Sequence, residues 1–245
     1  MNIRVDASRF APGHSGKWHS CASAQLIYPT GGVMSLQTAR GMWTVPPQRA
    51  CWLPGNEPHR VETRCGFQML SVYTSAEARG KYSADSGIVA VSDILRASIF
   101  ALANPRDRSA ERNRHIMKVV TDELSMELLP DFAVTPIKDG PLSAIIRAWE
   151  NDPADPRTLY DWASTLGVSP RTLTRAFRRT TQLTFREYRA HLRVQFAIAQ
   201  LASGASVTSV AYCLGYTSVS RFSLRFRRIT GARPRQFART KTPES

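Results

Sequence analysis

A short segment in the second half of the chain combines cationic and apolar side chains. Residues 167–181 read GVSPRTLTRAFRRTT, with four arginines and no acidic residue. Ser169 is a favourable helix N-cap and Pro170 a favourable first helical residue, so we expect a helix to begin there. At 100° per residue, two opposite faces result. The apolar face holds Leu173, Ala176, Phe177 and Thr180, and the cationic face holds Arg171, Thr174, Arg175 and Arg178.

A charged face of this kind either is solvated or binds a polyanion. Solvated faces normally mix signs, because like charges four residues apart repel each other, and this helix has no acid to offset its arginines. The chain has a formal charge of +14, of which residues 141–245 contribute +11, and 16 of their 17 cations are arginine. Because the planar guanidinium suits phosphates and guanine edges, the pattern favours a nucleic acid.

Composition disfavours several other classes of protein. The 245 residues suffice for two modest domains. The cations lie on separate short helices, no apolar run could span a bilayer, and the segment MNIRVDASRF lacks the apolar region of a signal peptide. The four cysteines form neither a C-x-x-C pair nor a secreted-type framework; they are Cys21, Cys51, Cys65 and Cys213. We therefore expect a cytoplasmic protein with reduced thiols and no membrane partner.

The hydrophobic period changes along the chain. Residues 20–75 contain short apolar runs separated by turns, a pattern typical of a small β-barrel or sandwich. Residues 86–104 and 109–129 instead predict two helices. The apolar stripe of the first consists of Ile88, Val91, Leu95, Ile99 and Leu102. This pair could pack on the barrel or form a dimer seam, and residues 130–141 are the expected linker to an all-helical region.

The helical region contains an internal repeat. Residues 158–181 and 206–230 each show a helix with an alanine, a Leu-Gly ending, a short turn, and a second helix that closes with two arginines. A small alanine lets two helices cross closely and the glycine permits the tight turn, as in a helix-turn-helix motif. Residues 184–202 predict one intervening helix roughly 28 Å long. Successive major-groove entries on one face of DNA lie about 34 Å apart.

From about Leu142 to Arg239, two-fifths of the chain, the sequence resembles the DNA-binding domain of the AraC/XylS family of bacterial transcription regulators. The likeness is densest in VAYCLGYTSVSRFSLRFRRITGARPRQFAR, residues 210–239. The positions that match the family pattern are Ala211, Gly215, Tyr216, Ser218, Ser220, Phe222, Phe226, Arg227, Gly231, Pro234 and Phe237.

The resemblance implies roles for individual side chains. Residues 170–181 would enter the major groove, where Arg171, Thr174 and Arg175 read bases. The matching positions of the second recognition helix are short or apolar and include Val219, Ser220, Ser223 and Leu224, so the first motif should supply most of the specificity. The remaining arginines are expected to hold phosphates; they are Arg178, Arg179, Arg186, Arg189, Arg193, Arg221, Arg225, Arg227 and Arg228.

The N-terminal half resembles the cupin barrel, whose two motifs bind a metal. In GKWHSCASAQ and PGNEPH the ligand positions fall on His19, Cys21, Gln25 and His59, and only the histidines match. Glutamine is a poor ligand, so we expect no metal; His19, Cys21 and His59 are the candidate set if one binds. In regulators of this family such a barrel senses a small molecule. The expected pocket adds Trp18, Trp43 and Trp52 to these four residues.

These observations predict an α+β multidomain chain. A cupin-like effector domain spans residues 1–82, a helical linker that could dimerise the chain spans 83–139, and an all-α domain with two helix-turn-helix motifs joined by a long helix spans 140–245. The protein should be a sequence-specific regulator, not an enzyme, with no catalytic residue and no cofactor. Its expected partners are double-stranded promoter DNA, a small-molecule effector, RNA polymerase and a second copy of itself.

Two rival interpretations remain open at this point. A metal-dependent cupin enzyme with a DNA-binding appendage is disfavoured because the cupin glutamate is missing at Gln25. An architectural DNA-binding protein without sequence preference is disfavoured because phosphate contacts alone would not require the aligned fork of Arg171 and Arg175.

Overall fold

The chain folds into two compact units, Met1–Asp131 and Phe132–Ser245. The structure, a computed structural model, describes residues 3–45, 49–63, 66–74, 83–104, 109–124, 128, 132–137 and 139–238. Within these ranges the first unit contains the strands and two helices, whereas the second is helical. The predicted fold class, a cupin-like sheet domain followed by a helical domain, is confirmed.

Eight strands form two antiparallel sheets in the described part of the first unit. They are β1 (Ile3–Phe10), β2 (Ala24–Gly32), β3 (Met34–Thr38), β4 (Gly41–Val45), β5 (Arg49–Leu53), β6 (His59–Glu62), β7 (Phe67–Thr74) and β8 (Gly87–Ala90). One sheet has the order β1-β7-β2-β5-β8 and the other the order β4-β3-β6. In the larger sheet Leu26 pairs with Val72 and Cys51 with Ile88.

The two faces of the larger sheet pack against different elements. Leu26, Leu70 and Val72 pack against α1 (Asp93–Ala103) and α2 (Ala110–Glu123) in one buried cluster. Because side chains alternate along a strand, their neighbours point the opposite way, toward the three-stranded sheet. Those neighbours include Gln25, Ile27 and Ser71, all buried, and the smaller sheet contributes the fully buried Met34, Leu36, Trp43 and Val45.

The helix predicted over residues 86–104 is wrong in its first part. Gly87–Ala90 is strand β8, which pairs with β5, and α1 begins at Asp93. The Ser92 side chain caps α1 by accepting a hydrogen bond from the Leu95 N–H at 3.0 Å. The β-branched residues before this cap suit a strand, and the edge of β5 supplies the backbone partners. Leu95 and Ile99 remain on the buried stripe and pack on the sheet, so the inner face of this helix takes the first of the two predicted placements.

The second helix of the predicted pair is confirmed over part of its range. It runs over Ala110–Glu123, and Val120 joins the same buried cluster as Leu95. The predicted stretch 125–127 and residue 129 lie outside the described residues. Both helices therefore belong to the core of the first unit, so the segment predicted as a linker contains a strand and two packed helices.

The second unit consists of six α-helices and a short 3-10 helix in its described part. They are α3 (Ser143–Asn151), α4 (Leu159–Thr165), α5 (Pro170–Thr181), α6 (Phe185–Ala202), α7 (Val207–Cys213), α8 (Val219–Thr230) and the 3-10 helix Pro234–Phe237. The predicted start of α5 is confirmed, because Ser169 caps it and Pro170 is its first residue. Trp149, Phe177, Phe185 and Tyr188 form its aromatic core. Across the ranges given above, we find no helix long and apolar enough to cross a membrane.

Candidate nucleic-acid interface and ligand site

The two predicted helix-turn-helix motifs have the same turn. Gly167 and Gly215 follow the first helix of each motif with φ of 64° and 74°, a left-handed conformation that glycine adopts without a Cβ clash. The next residue then bonds back across the turn: Val168 N–H donates to the Ala163 carbonyl and Tyr216 N–H to the Ala211 carbonyl, each at 3.0 Å. Both alanines are buried at the helix crossing, as the repeat predicted.

The two predicted recognition helices, α5 and α8, also end in the same way. Thr181 Oγ1 donates to the Phe177 carbonyl at 2.8 Å and accepts from the Leu183 N–H at 3.1 Å. Thr230 Oγ1 makes the equivalent bonds to Phe226 at 3.0 Å and from Ala232 at 3.2 Å. The structural repeat therefore extends two residues past the predicted repeats, to Leu183 and Ala232, where the two copies have different residue types.

Equivalent positions on α5 and α8 carry different chemistry. Arg171 and Arg175 are exposed on α5, and the same places on α8 hold Ser220 and Leu224, the latter 74 % exposed. Thr174 is exposed, but its hydroxyl donates to the Pro170 carbonyl at 2.9 Å, which leaves its lone pairs and methyl group for a partner. Its counterpart Ser223 is half-buried. The two sets of side chains predicted to read bases therefore differ mainly in charge.

Most of the arginines predicted to hold phosphates are exposed. The exposed ones are Arg178, Arg179, Arg186, Arg221, Arg227 and Arg228, and Arg225 is half-buried. Arg178 also bonds within its own motif, from Nη1 to the Gln182 carbonyl at 3.3 Å. Together they place a broad positive surface around α5, α8 and the start of α6, which can hold a polyanion.

Arg189 and Arg193, predicted like Arg186 to hold phosphates, differ from this set because each donates a hydrogen bond within the unit. Arg193 Nε donates to the Pro153 carbonyl at 2.7 Å and Arg189 Nη1 to the Arg157 carbonyl at 3.3 Å. Burial, and secondarily the charge of Arg193, lowers the pKa of Arg189 to about 10. Spacing along α6 does put the three arginines on one face, but the loop between α3 and α4 covers two of them.

A buried polar group lies between the sheets of the first unit. Gln25 is 4 % exposed, and its Nε2 donates to Ser71 Oγ at 3.0 Å and to Tyr73 Oη at 3.3 Å. Its Oε1 is buried and has no hydrogen-bond partner among the residues that the structure describes. Buried polar atoms nearly always have a partner, so Oε1 is an available acceptor inside the sheet domain.

The two cupin-type histidines lie side by side. His19 and His59 exchange backbone hydrogen bonds of 3.0 and 2.9 Å, and their ring centroids are 4.3 Å apart. Each Nδ1 lies within hydrogen-bond distance of a carbonyl, that of Lys17 and of Glu57 respectively, so Nδ1–H is the donor. Burial is the main cause that lowers the pKa of His59, with the nearby His19 adding to it. His59 is therefore neutral at pH 7.

The candidate metal set does not fit a metal ion. No cluster of three or more His, Cys, Asp or Glu side chains that could hold one occurs among the residues the structure describes, which include His19, Cys21 and His59. Two imidazoles alone fall short of the three or four protein ligands of a zinc site. Cys213 is exposed at the end of α7, and Cys65 lies outside the described residues.

The three tryptophans of the expected pocket lie in three different surroundings. Trp52 packs in the cluster beneath α1 and α2, and its Nε1 donates to the Ser83 carbonyl at 2.9 Å. Trp43 is fully buried and pairs with Leu36 in the smaller sheet. Trp18 is 49 % exposed, with the Arg60 guanidinium 5.4 Å from its ring centre. An aromatic wall shared by all three is not what the fold builds.

A groove that the sequence did not predict opens at one end of the larger sheet. Its volume is about 660 Å³, and Phe10 stacks on Phe67 at 4.8 Å in its wall. Arg9 and Gln68 lie along it, and three glycines also line it: Gly31, Gly32 and Gly66. In the sequence the Gly31–Gly32 pair indicates a turn between two apolar runs, which does not by itself predict a groove.

Comparison with known proteins gives two family matches. Residues 7–130 match the AraC-like ligand binding domain and residues 162–240 match a helix-turn-helix domain. The HTH-type transcriptional regulator NimR of Escherichia coli (strain K12) is 28% identical over 233 residues, 93% of this chain and 85% of NimR. The HTH-type transcriptional regulator RipA of Corynebacterium glutamicum is 38% identical over 112 residues, 45% of this chain and 34% of RipA.

Solved structures show a weaker likeness. ToxT from Vibrio cholerae aligns over 97% of this chain and 98% of ToxT, with 14% identity and a TM-score of 0.40. A likeness at this TM-score supports no conclusion about the chain.

Proposed function

Because the chain belongs to the AraC family of transcription regulators, with a ligand-binding N-terminal domain and a helix-turn-helix DNA-binding domain, we propose that it reads promoter DNA with both motifs. In this proposal α5 supplies most of the sequence specificity. The supporting observation is that Arg171 and Arg175 are exposed where α8 has Ser220 and Leu224. A bidentate arginine–guanine contact contributes about 1–3 kcal/mol of discrimination.

In this proposal α8 contributes less to base reading and more to phosphate contacts. Ser220 and Ser223 are short, and Leu224 suits a thymine methyl group. The phosphate contacts come from the exposed arginines around both helices, because such contacts fix register without reading sequence. They are Arg178, Arg179, Arg186, Arg221, Arg225, Arg227 and Arg228.

Selection of bound sequences from random DNA at two salt concentrations tests the proposal. The expected result is a preferred site with two blocks about one helical turn apart, the block under α5 being the more sharply defined. A single block would mean that α8 only contacts the backbone. Salt-sensitive binding with no preferred sequence would support the architectural alternative and contradict the proposal.

We further propose that the effector binds inside the sheet domain at Gln25. An effector with an N–H or O–H donor would satisfy the buried Gln25 Oε1, and Ser71 and Tyr73 already hold the amide in place. Of the pocket residues predicted from the sequence, Gln25 is thus retained in the proposed site. His19 and His59, whose Nδ1–H groups are engaged, could offer an Nε2 acceptor to the same ligand.

A thermal-shift screen of small polar metabolites tests this site. A compound that stabilises the protein should lose its effect in Gln25→Leu and keep it in Arg9→Ala, which alters the open groove. Loss of the effect only in Arg9→Ala would place the effector in the groove and contradict the Gln25 site.

A second copy of the chain is the proposed protein partner. Ile94 and Phe100 on α1 and Val119 on α2 are 60 %, 40 % and 39 % exposed, although the inner faces of both helices are buried. Sedimentation should give a dimer that Ile94→Glu converts to a monomer; a wild-type monomer at micromolar concentration would refute it. In a cytoplasmic regulator bound at a promoter, RNA polymerase is the further proposed partner.

A further inference from the structure

One side chain on α6 joins segments from both halves of the DNA-binding unit. Arg193 Nε donates to the carbonyl of Pro153, in the loop that precedes the first motif, at 2.7 Å. Its guanidinium carbon also lies 5.6 Å from the ring centre of Tyr216, in the turn of the second motif. Arg193 is half-buried between these two partners.

The same two segments also touch through the backbone. A Cβ at Gly215 would lie 3.3 Å from Ala154 Cβ and 3.4 Å from the Ala154 carbonyl oxygen. This spacing is tight for a side chain, so glycine allows the turn of the second motif to lie against the loop. Arg193 therefore reinforces a contact that the chain already makes.

The loop in turn is fixed to the first motif. Asp155 is 3 % exposed and binds Arg157, with Nη2 at 2.5 Å from Oδ2 and Nε at 2.9 Å. The Arg157 guanidinium carbon lies 3.8 Å from the ring centre of Trp162, a buried residue of α4. Arg189 binds the Arg157 carbonyl from α6. A continuous set of contacts thus runs from α4, through the loop and α6, to the turn that precedes α8.

We propose that Arg193 is a positioning residue that fixes the separation of the two recognition helices, so that the protein selects DNA sites by the spacing of their two blocks. This inference rests on the proposed reading of DNA by both motifs. One added base pair moves the second block by about 3.4 Å and rotates it by about 34°. A rigid pair of motifs cannot follow that change, whereas a loosely joined pair can.

The competing role for Arg193 is the one expected from the sequence, a phosphate contact. The two roles have different signatures in salt. The slope of log K against log salt is negative. Removing one phosphate contact makes it less steep by about 0.9, whereas removing an internal positioning contact leaves it unchanged. Salt dependence and spacing dependence, measured together, therefore separate them.

The test compares four forms of the full chain on three DNA duplexes. The proteins are wild type, Arg193→Met, Arg193→Lys and the control Arg186→Met, which removes an exposed arginine from the same helix. The duplexes are the selected site and the same site with one base pair added or removed between its blocks.

Each form has a distinct expected result. Wild type should prefer the selected spacing by at least about tenfold, since one mismatched contact already has that effect. Arg193→Met should reduce the preference to about threefold or less with an unchanged salt slope, and Arg193→Lys, which can still donate to Pro153, should restore most of it. Arg186→Met should make the salt slope less steep by about 0.9 and keep the spacing preference.

Two results would overturn the inference: an Arg193→Met protein that keeps the wild-type spacing preference, or one whose salt slope becomes less steep by about 0.9. If Arg193→Met fails to fold, Gly215→Ala, which pushes the turn away from Ala154, should show the same loss of preference, and full retention there would overturn the inference as well. A wild-type protein that selects a single block would refute the two-motif proposal itself. That result appears in the selection before any variant is made, so the two failures are distinguishable.

Discussion

Arg175 of α5 and Leu224 of α8 occupy the same position in the two copies of the repeat. Each is the sixth residue of its helix, each helix begins after a serine cap, and each side chain is exposed. One copy presents a guanidinium and the other a branched alkyl group at the same place. The duplicated scaffold therefore presents two chemically different side chains at the position proposed to contact bases.

Removal of the α5 arginines should relax specificity more than removal of the α8 serines. Arg171→Ala or Arg175→Ala should each lose about 1–3 kcal/mol of discrimination at one base pair. Ser220→Ala and Ser223→Ala, the matched controls, should change the preference profile little. Profiles from repeated selection check this, and a larger loss in the serine variants would reverse the ranking.

Leu224→Arg should give the second copy the chemistry of the first. The new guanidinium would stand where Arg175 stands on α5, so a guanine preference should appear at one position of the second block. Leu224→Met, which keeps an apolar side chain of similar volume, is the control and should leave that position unchanged. An unaltered profile in Leu224→Arg would mean that α8 does not face base edges.

Thr230→Val should destabilise the DNA-binding unit. The hydroxyl is fully buried and bonds to the Phe226 carbonyl and the Ala232 N–H, so valine would leave both groups without this partner. The expected loss is about 1–3 kcal/mol in the free energy of unfolding. Thr230→Ser keeps both hydrogen bonds and should lose less. Urea unfolding measures both, and equal losses would show that the methyl group, not the hydroxyl, matters.

The stability of the first unit should fall as the pH drops below about 6.5, the ordinary pKa of histidine. Burial lowers the folded-state pKa of His59, so the unfolded chain binds its proton first. Stability is then full above the unfolded pKa and is lost as the pH falls through the folded one. His59→Gln should flatten the profile between about pH 5 and 7, which unfolding curves at several pH values would reveal. An unchanged profile would assign the effect to another group.

Local signals in the sequence determined much of the DNA-binding unit. The serine cap and proline at the start of α5, the Leu-Gly turns, and the 3.6-residue period of α6 each depend on residues a few positions apart, so they act before any tertiary contact forms. The same is true of the alternating strands in the first unit. The repeated turn motif and the arginines indicated a nucleic-acid-binding scaffold, and the resemblance to the AraC/XylS family implied the regulator function.

Only the tertiary structure decided which neighbours those elements have. The stretch around Ile88 could have continued the helix of Leu95, but the free edge of β5 pairs with it as a strand. Arg186 and Arg193 share a helix face, yet Arg193 donates a hydrogen bond to the α3–α4 loop whereas Arg186 is exposed. Such contacts join residues that are distant along the chain. They form only when the intervening chain folds back and brings the two segments together. Side-chain periodicity within one element contains no information about that closure.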